Sequence, residues 1–200
     1  MAPRRSGRLV AVTFDDAFAS VADRAKPVMD ALGLPGTVFA VTSFAERGGP
    51  LSWDGIDHWA DTPFAGELAG LDWARMRELA GSGWEVGSHT VTHPRLTQCP
   101  EARLAGELRE SREACEHALG GPCRSLAYPY GDVDGRVVAA AAEAGYATAA
   151  TLPRRWVTPA PLAWPRVGVW HHDDPRRFAI KTSFALRRLR RALDPVLGRT

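Results

Sequence analysis

The sequence predicts an α/β fold in which a parallel sheet closes in the manner of a β/α barrel. Three observations lead there. Short runs rich in β-branched and aromatic residues alternate with amphipathic helical stretches along the chain, the pattern of βαβ units with right-handed crossovers. Six strand-type runs can be counted. Acidic and imidazole side chains fall at the carboxyl ends of two different runs, where barrels gather their chemistry, and this favours closure over an open doubly wound sheet.

The elements follow in order. Val10 to Phe14 reads as a buried strand that stops on Asp15-Asp16. Phe18, Val21, Ala22, Ala25, Val28, Met29 and Leu32 recur at helical spacing and Gly33 supplies a stop, so a helix is expected over 18–32. Thr37 to Thr42 is a β-branched run that reads as a second buried strand. Residues 43–71 have no clear period and carry Gly48-Gly49-Pro50, Trp53, Trp59 and Pro63; they are expected as a long loop, which in a compact domain usually serves function. Asp72 is an N-cap candidate for a helix to Ala80, closed by Gly81-Ser82-Gly83 and feeding a strand from Trp84 to Gly87. Pro100 to Leu119 is a long amphipathic helix closed by Gly120-Gly121, followed by a strand from Arg124 to Ala127 and the aromatic turn Tyr128-Pro129-Tyr130-Gly131. A helix from Val133 to Ala144, strands Tyr146 to Thr151 and Arg166 to Trp170, and a last helix from Pro175 to near Leu193 complete the set.

Two hundred residues, 45% hydrophobic and 24% charged, suit one globular domain and not comfortably two. The net charge of +2 is unevenly spread: residues 176–200 hold eight Arg or Lys against one Asp, which leaves 17 basic against 22 acidic residues elsewhere, near −5. Cys99, Cys115 and Cys123 cannot all pair and show no C-x-x-C spacing, so reduced thiols are expected. The basic N-terminus runs into Asp15-Asp16 without a signal-type apolar stretch, and no run approaches a membrane span; the expectation is a cytoplasmic protein. There is no glycine-rich phosphate loop and no nucleic-acid partner is indicated.

The chemistry concentrates in two places. Adjacent carboxylates such as Asp15 and Asp16 repel unless their roles are separated, and a metal ion held by one leaves the other free as a base. Ser88-His89-Thr90-Val91-Thr92-His93 offers two imidazoles four residues apart at the carboxyl end of a strand. One Asp and two His make a three-ligand site with room for water, as in catalytic zinc centres. The same set describes the iron triad of non-haem oxygenases, a rival class that the second Asp and the α/β pattern argue against. Trp53 and Trp59 offer rings that either stack on sugars or pack their loop down.

Thr13-Phe14-Asp15-Asp16, Ser88 to His93 and Leu126-Ala127-Tyr128-Pro129-Tyr130-Gly131 resemble the first three motifs of the polysaccharide deacetylases, the carbohydrate esterase family four or NodB-homology domain, in order, separation and setting. The resemblance covers roughly residues 8–175 and implies an irregular (β/α) barrel of seven or fewer complete units there, with 176–200 as a basic C-terminal helix packed on it or extending from it. It implies Asp15 as general base and Asp16, His89 and His93 as ligands of one divalent metal, most often Zn2+, with Co2+, Ni2+ or Mn2+ possible. The implied activity removes the N-acetyl group of an acetamido sugar, in a saccharide or a lipid-linked intermediate, to give acetate and a free amine. A backbone N–H in the Tyr128 to Gly131 turn would hold the oxyanion, Tyr130 is a catalytic candidate, and Trp53, Tyr128 and Pro129 are expected at the substrate.

Three positions depart from the pattern. Ala17 stands where the family usually has Gly, a change that a helix start tolerates. Ala127 stands where many members carry an Arg that orients the catalytic Asp, and Arg166 is the candidate to supply that charge from another strand. The late Leu-x-x-His motif, source of the general acid, has no clean copy; His171, beside His172, is the candidate. Two alternatives stay open: a cyclic amide or imide hydrolase of the same superfamily, and a weakened relative that only binds carbohydrate. In the tail, Arg176, Arg177, Lys181, Arg187, Arg188, Arg190 and Arg191 interleave with Phe178, Ile180, Phe184, Leu186, Leu189 and Leu193, which suits either a final helix packed on the sheet or peripheral contact with an anionic membrane.

Overall fold

The computed structural model of the chain describes residues 10–153, 158–170 and 172–183. Its frame is a parallel sheet of six strands: β1 (Thr13–Phe14), β2 (Thr37–Ala40), β3 (Glu85–Ser88), β4 (Ser125–Ala127), β5 (Thr148–Thr151) and β6 (Trp164–Pro165). Strand order along the sheet is chain order, β1 to β6, so each crossover steps to the next strand; a doubly wound sheet would reverse direction partway. β1 and β6 are therefore opposite edges. At about 4.8 Å per strand a flat sheet would hold them about 24 Å apart. Arg166, one residue past β6, nevertheless pairs with Asp15, one residue past β1, at 2.7 Å, so the sheet is curled as the barrel expectation requires.

Among the described residues six α-helices accompany it: α1 (Lys26–Ala31), entered through a π turn at Val21–Ala25, α2 (Thr42–Arg47), α3 (Trp73–Gly81), α4 (Glu101–Leu119), α5 (Gly135–Glu143) and α6 (Pro175–Thr182). Local chemistry sets their ends. The Asp72 and Asp134 carboxylates accept from the Arg75 and Val137 amides at 2.9 and 2.8 Å, each cap worth about 1 kcal/mol, and Gly120 takes the left-handed turn that ends α4. Helix α4 buries Leu104, Leu108, Ser111 and Cys115, one stripe at helical spacing, in the main core with Met76, Leu79, Val86, Leu126, Val137 and Ala149. A second cluster, Val41, Phe44, Leu51 and Trp53, lies under the long β2-to-α3 connection.

Four expectations about elements need correction. β1 is a two-residue edge strand, not a buried run from Val10: it has a neighbour on one side only, and Val10 and Val12 are 79% and 38% exposed. The helix expected over 18–32 begins as the π turn, and Val28 and Leu32 of its apolar set face solvent. The loop expected over 43–71 opens with α2, whose Thr42 and Ser43 amides donate to the carbonyls of Thr90 and Val91 at 3.1 Å. β6 is Trp164–Pro165 and not 166–170, because pairing with β5 ends where the Arg166 amide reaches the Thr151 carbonyl. The last helix starts at Pro175 as expected; residues 184–200 lie outside the described ones. Among the described residues no helix is long and apolar enough to cross a membrane.

Candidate metal centre

The carboxyl ends of β1, β3, β4 and β6 converge, bringing together Asp15 and Asp16, His89 and His93, Tyr130, and Arg166. Among the described residues, Asp16, His89 and His93 form the one group of metal-type donors whose ligand atoms all lie within 4.8 Å of one another. Oδ1 of Asp16 is 3.3 Å from Nε2 of His89 and 3.4 Å from Nε2 of His93. It is buried, yet it accepts no directed hydrogen bond. A buried carboxylate oxygen facing two imidazole nitrogens without a proton donor is satisfied by a cation, so the donor set fits a divalent ion with further positions open.

His89 is prepared for this by β4. Its Nδ1 lies 2.8 Å from the Ala127 carbonyl; a carbonyl can only accept, so Nδ1 carries a proton, and in the neutral ring it is the Nε2 lone pair that faces Asp16. His93 is held by ring contacts, with the Trp53 ring stacked 4.3 Å away and the Tyr130 ring at 4.6 Å. The segment between the histidines is clamped from α4. Glu107, 6% exposed, accepts from the Val91 and Thr92 amides at 2.9 Å each and from the Thr92 hydroxyl at 2.5 Å. Sequence reasoning missed this residue; the available signal was a charge on the buried stripe of α4, one place before Leu108.

Asp15 stands beside the cluster and not in it. Arg166 donates to both of its oxygens, at 2.7 and 2.8 Å, and to the Thr13 hydroxyl at 3.0 Å. Burial pushes the Asp15 carboxyl up, but the His89 charge, the Arg166 hydrogen bond and charge, and His93 together hold it below the ordinary carboxylate value. His93 is pushed down to about 4 by burial and by the His89 charge, so its ring is neutral and free to ligate near neutral pH. For His89 burial acts downward, while Asp15, Asp16 and the Ala127 carbonyl raise it overall.

The backbone is strained here. Asp16, Ala17, Thr90, His93 and Tyr130 are the non-glycine residues with positive φ among the described ones, and every one lies in these loops, which is where such strain collects at functional sites. Ala17 at φ +58 is thus not an ordinary helix-start residue: the turn bends left-handed through Asp16 and Ala17 at a cost of roughly 1 kcal/mol per residue, which accounts for a glycine preference at that position. Gly131 at φ +67 is required for a second reason, since a Cβ there would lie 2.6 Å from the Leu152 amide nitrogen.

The side chains expected at the substrate lie at different depths. Tyr128 is wholly buried with its hydroxyl donating to the Leu162 carbonyl at 2.9 Å, and Pro129 is buried too, so both side chains belong to the wall behind the turn. Trp53 lines the neighbouring cleft, but at 9% exposure it chiefly backs His93. Tyr130 is 37% exposed, its hydroxyl donating to the Asp54 carbonyl at 3.0 Å. His171 lies outside the described residues.

The polysaccharide deacetylase family model matches residues 2–149. The chain belongs to the polysaccharide deacetylase family. It is 37% identical over 90 residues to a chitooligosaccharide deacetylase of Bradyrhizobium sp. (strain ANU 289), covering 42% of this chain and 40% of that protein. It is 23% identical over 141 residues, 70% of this chain and 43% of the relative, to a putative polysaccharide deacetylase, YxkH, of Bacillus subtilis. The chain thus spans about two fifths of the length of each of these two relatives. Among solved structures, the fold is similar to the Streptococcus pyogenes deacetylase PplD in complex with acetate (TM-score 0.74, 20% identity, 90% of this chain and 72% of that one). IcaB from Ammonifex degensii gives a TM-score of 0.68 at 26% identity, over 88% of this chain and 74% of that one. The deacetylase motifs are therefore carried on the fold that the family uses.

Proposed function

We propose that this family member is a metal-dependent hydrolase that removes N-acetyl groups from acetamido sugars, releasing acetate and leaving a free amine. The observation that carries the reading is the division of labour between adjacent carboxylates: Asp16 faces His89 and His93, while Asp15 is turned away into the fork of Arg166. Asp16, His89 and His93 would hold one divalent ion, for which an O,N,N donor set points to zinc. When bound, the ion supplies Lewis acidity, polarising the acetyl carbonyl and acidifying water toward neutral pH. Asp15, kept ionised and aimed by Arg166, takes the proton of the attacking water. The Tyr130 amide, on a backbone turned to φ +60 beside His93, is the donor assigned to the developing oxyanion. His171 is assigned to protonate the leaving amine. The test is acetate release from chitooligosaccharides by the zinc-loaded protein. Asp15→Asn should lower the rate about 10²- to 10⁴-fold while leaving zinc bound. Loss of zinc from Asp15→Asn with zinc retained in Asp16→Asn would exchange the two roles.

A peripheral membrane contact through the C-terminal segment is favoured by one observation: α6 buries none of its side chains, and Phe178 and Ile180 are 48% and 43% exposed beside the cations Arg176 and Arg177. A lipid-linked acetamido sugar is the substrate that such contact would present.

A further inference from the structure

The cleft beside His93 is more basic than a neutral sugar needs. It measures about 360 Å³, and beyond His93 its wall carries Arg95 and Arg103. The Arg95 guanidinium carbon lies 4.2 Å from the centre of the Tyr130 ring, which itself lies 4.6 Å from the His93 ring. The cation therefore stands two ring contacts from an imidazole of the metal cluster. Laid on an aromatic face, it is already ordered, so less rotamer freedom remains to be lost on binding. Among the described residues Arg95 forms no ion pair, and its N–H edges are uncommitted. Arg103 is engaged only at long range: its Nη2 donates to the Thr92 hydroxyl at 3.5 Å and its Nε is 3.8 Å from Glu107, a carboxylate already accepting three hydrogen bonds from the 91–92 segment. The acid of the same wall, Asp54, pairs with neither arginine; it takes the Tyr130 hydroxyl on its backbone carbonyl.

Hydroxyl and acetamide groups are satisfied by neutral donors and acceptors, whereas a planar guanidinium with free edges matches a carboxylate or phosphate with two parallel hydrogen bonds. We infer that the substrate carries an anionic group, carboxylate or phosphate, on the acetylated sugar or its neighbour, and that Arg95, assisted by Arg103, selects it. This deepens the deacetylase reading above and rests on it.

The experiment compares kcat/KM for acetate release from chitotetraose, from an N-acetylglucosamine–N-acetylmuramic acid oligomer with free carboxylates, and from N-acetylglucosamine 1-phosphate, using the zinc-loaded full chain. The anionic-to-neutral ratio should exceed about tenfold in the parent protein, fall about tenfold in Arg95→Gln and less in Arg103→Gln, and shrink as salt is raised. The better of the two anionic arms tells carboxylate from phosphate. A ratio near one, or a ratio that Arg95→Gln does not move, overturns the inference. Acetate released from none of the three would be a failure of the deacetylase reading; equilibrium binding of the same compounds to zinc-loaded Asp15→Asn then decides. An anionic preference that Arg95→Gln abolishes upholds the inference, and equal binding of all three overturns it.

Discussion

Arg166 donates Nη1 to Oδ1 and Nη2 to Oδ2 of Asp15, at 2.7 and 2.8 Å, across the two edges of a sheet whose hydrogen-bonded order places β1 and β6 farthest apart. One ion pair thus bridges the seam of the curl and fixes the plane of a carboxylate beside the metal cluster. The Nε of the same guanidinium is buried without a partner. Leaving that donor unsatisfied costs about 1–3 kcal/mol, a cost the bidentate contact with Asp15 accepts; on the proposed function it serves to aim that carboxylate.

Arg166→Lys keeps the charge and loses the fork, and Arg166→Met loses both. Acetate release should fall about 10²-fold or more in each, because a base displaced by about 1 Å costs that much. Zinc affinity, measured by competition with a chelating dye, should stay within a few-fold. Unchanged turnover in Arg166→Met would reduce the pair to a seam contact.

Metal should raise folding stability, since the orphaned Asp16 oxygen and the two imidazole nitrogens meet only in the folded chain. With free zinc at about 100 times its dissociation constant the gain is about 2.7 kcal/mol. Thermal denaturation should show the midpoint rising with zinc, returning on chelation, and failing to respond in His93→Ala. An identical midpoint with and without zinc would exclude a specific site here.

Glu107→Ala removes three hydrogen bonds from the segment that carries His93 while leaving every candidate ligand in place. Residues that hold metal ligands in position typically contribute 10- to 100-fold in affinity, and the zinc dissociation constant should rise by about that factor. Glu107→Gln, which keeps one acceptor oxygen, should lie between. A variant of full affinity would make Glu107 a helix-packing residue only.

The Asp15-Asp16 pair and the His89, His93 spacing were legible in the sequence because ligand chemistry demands those residue types at short intervals. β2 to β5 were legible because central parallel strands are apolar on both faces. Helix α2 was not, since six residues span less than two turns and give no period to read. The last strand, expected over Arg166 to Trp170, is set at Trp164–Pro165 by pairing with β5, and Val169 is 55% exposed. The left-handed turns at Asp16, Thr90, His93 and Tyr130 left no trace, because none is a glycine, and at Ala17 the only sign was the glycine usual at that position. Tyr128 drew attention as an aromatic in a functional motif, yet its neighbours Leu126 and Ala127 are buried beside it and its hydroxyl is spent on Leu162.

The last prediction concerns the C-terminal segment. Asp174 caps α6 by accepting from the Arg177 amide at 2.7 Å, so the helix has a firm start, yet none of its residues is buried. A final helix that packed on its sheet would hide Phe178 and Ile180. These side chains instead keep 48% and 43% of their surface exposed, beside Arg176 and Arg177, a composition that lies on anionic bilayers at about 1 kcal/mol per basic residue near the surface. Co-sedimentation with vesicles should therefore increase with anionic lipid and weaken in salt, and Arg187, Arg188, Arg190 and Arg191 changed together to Gln should lower it without loss of the folded far-ultraviolet spectrum. Phe178→Ser should lower binding at high salt most, since insertion is the part that salt does not screen. Equal sedimentation with neutral and anionic vesicles, or none with either, would favour a soluble saccharide as substrate.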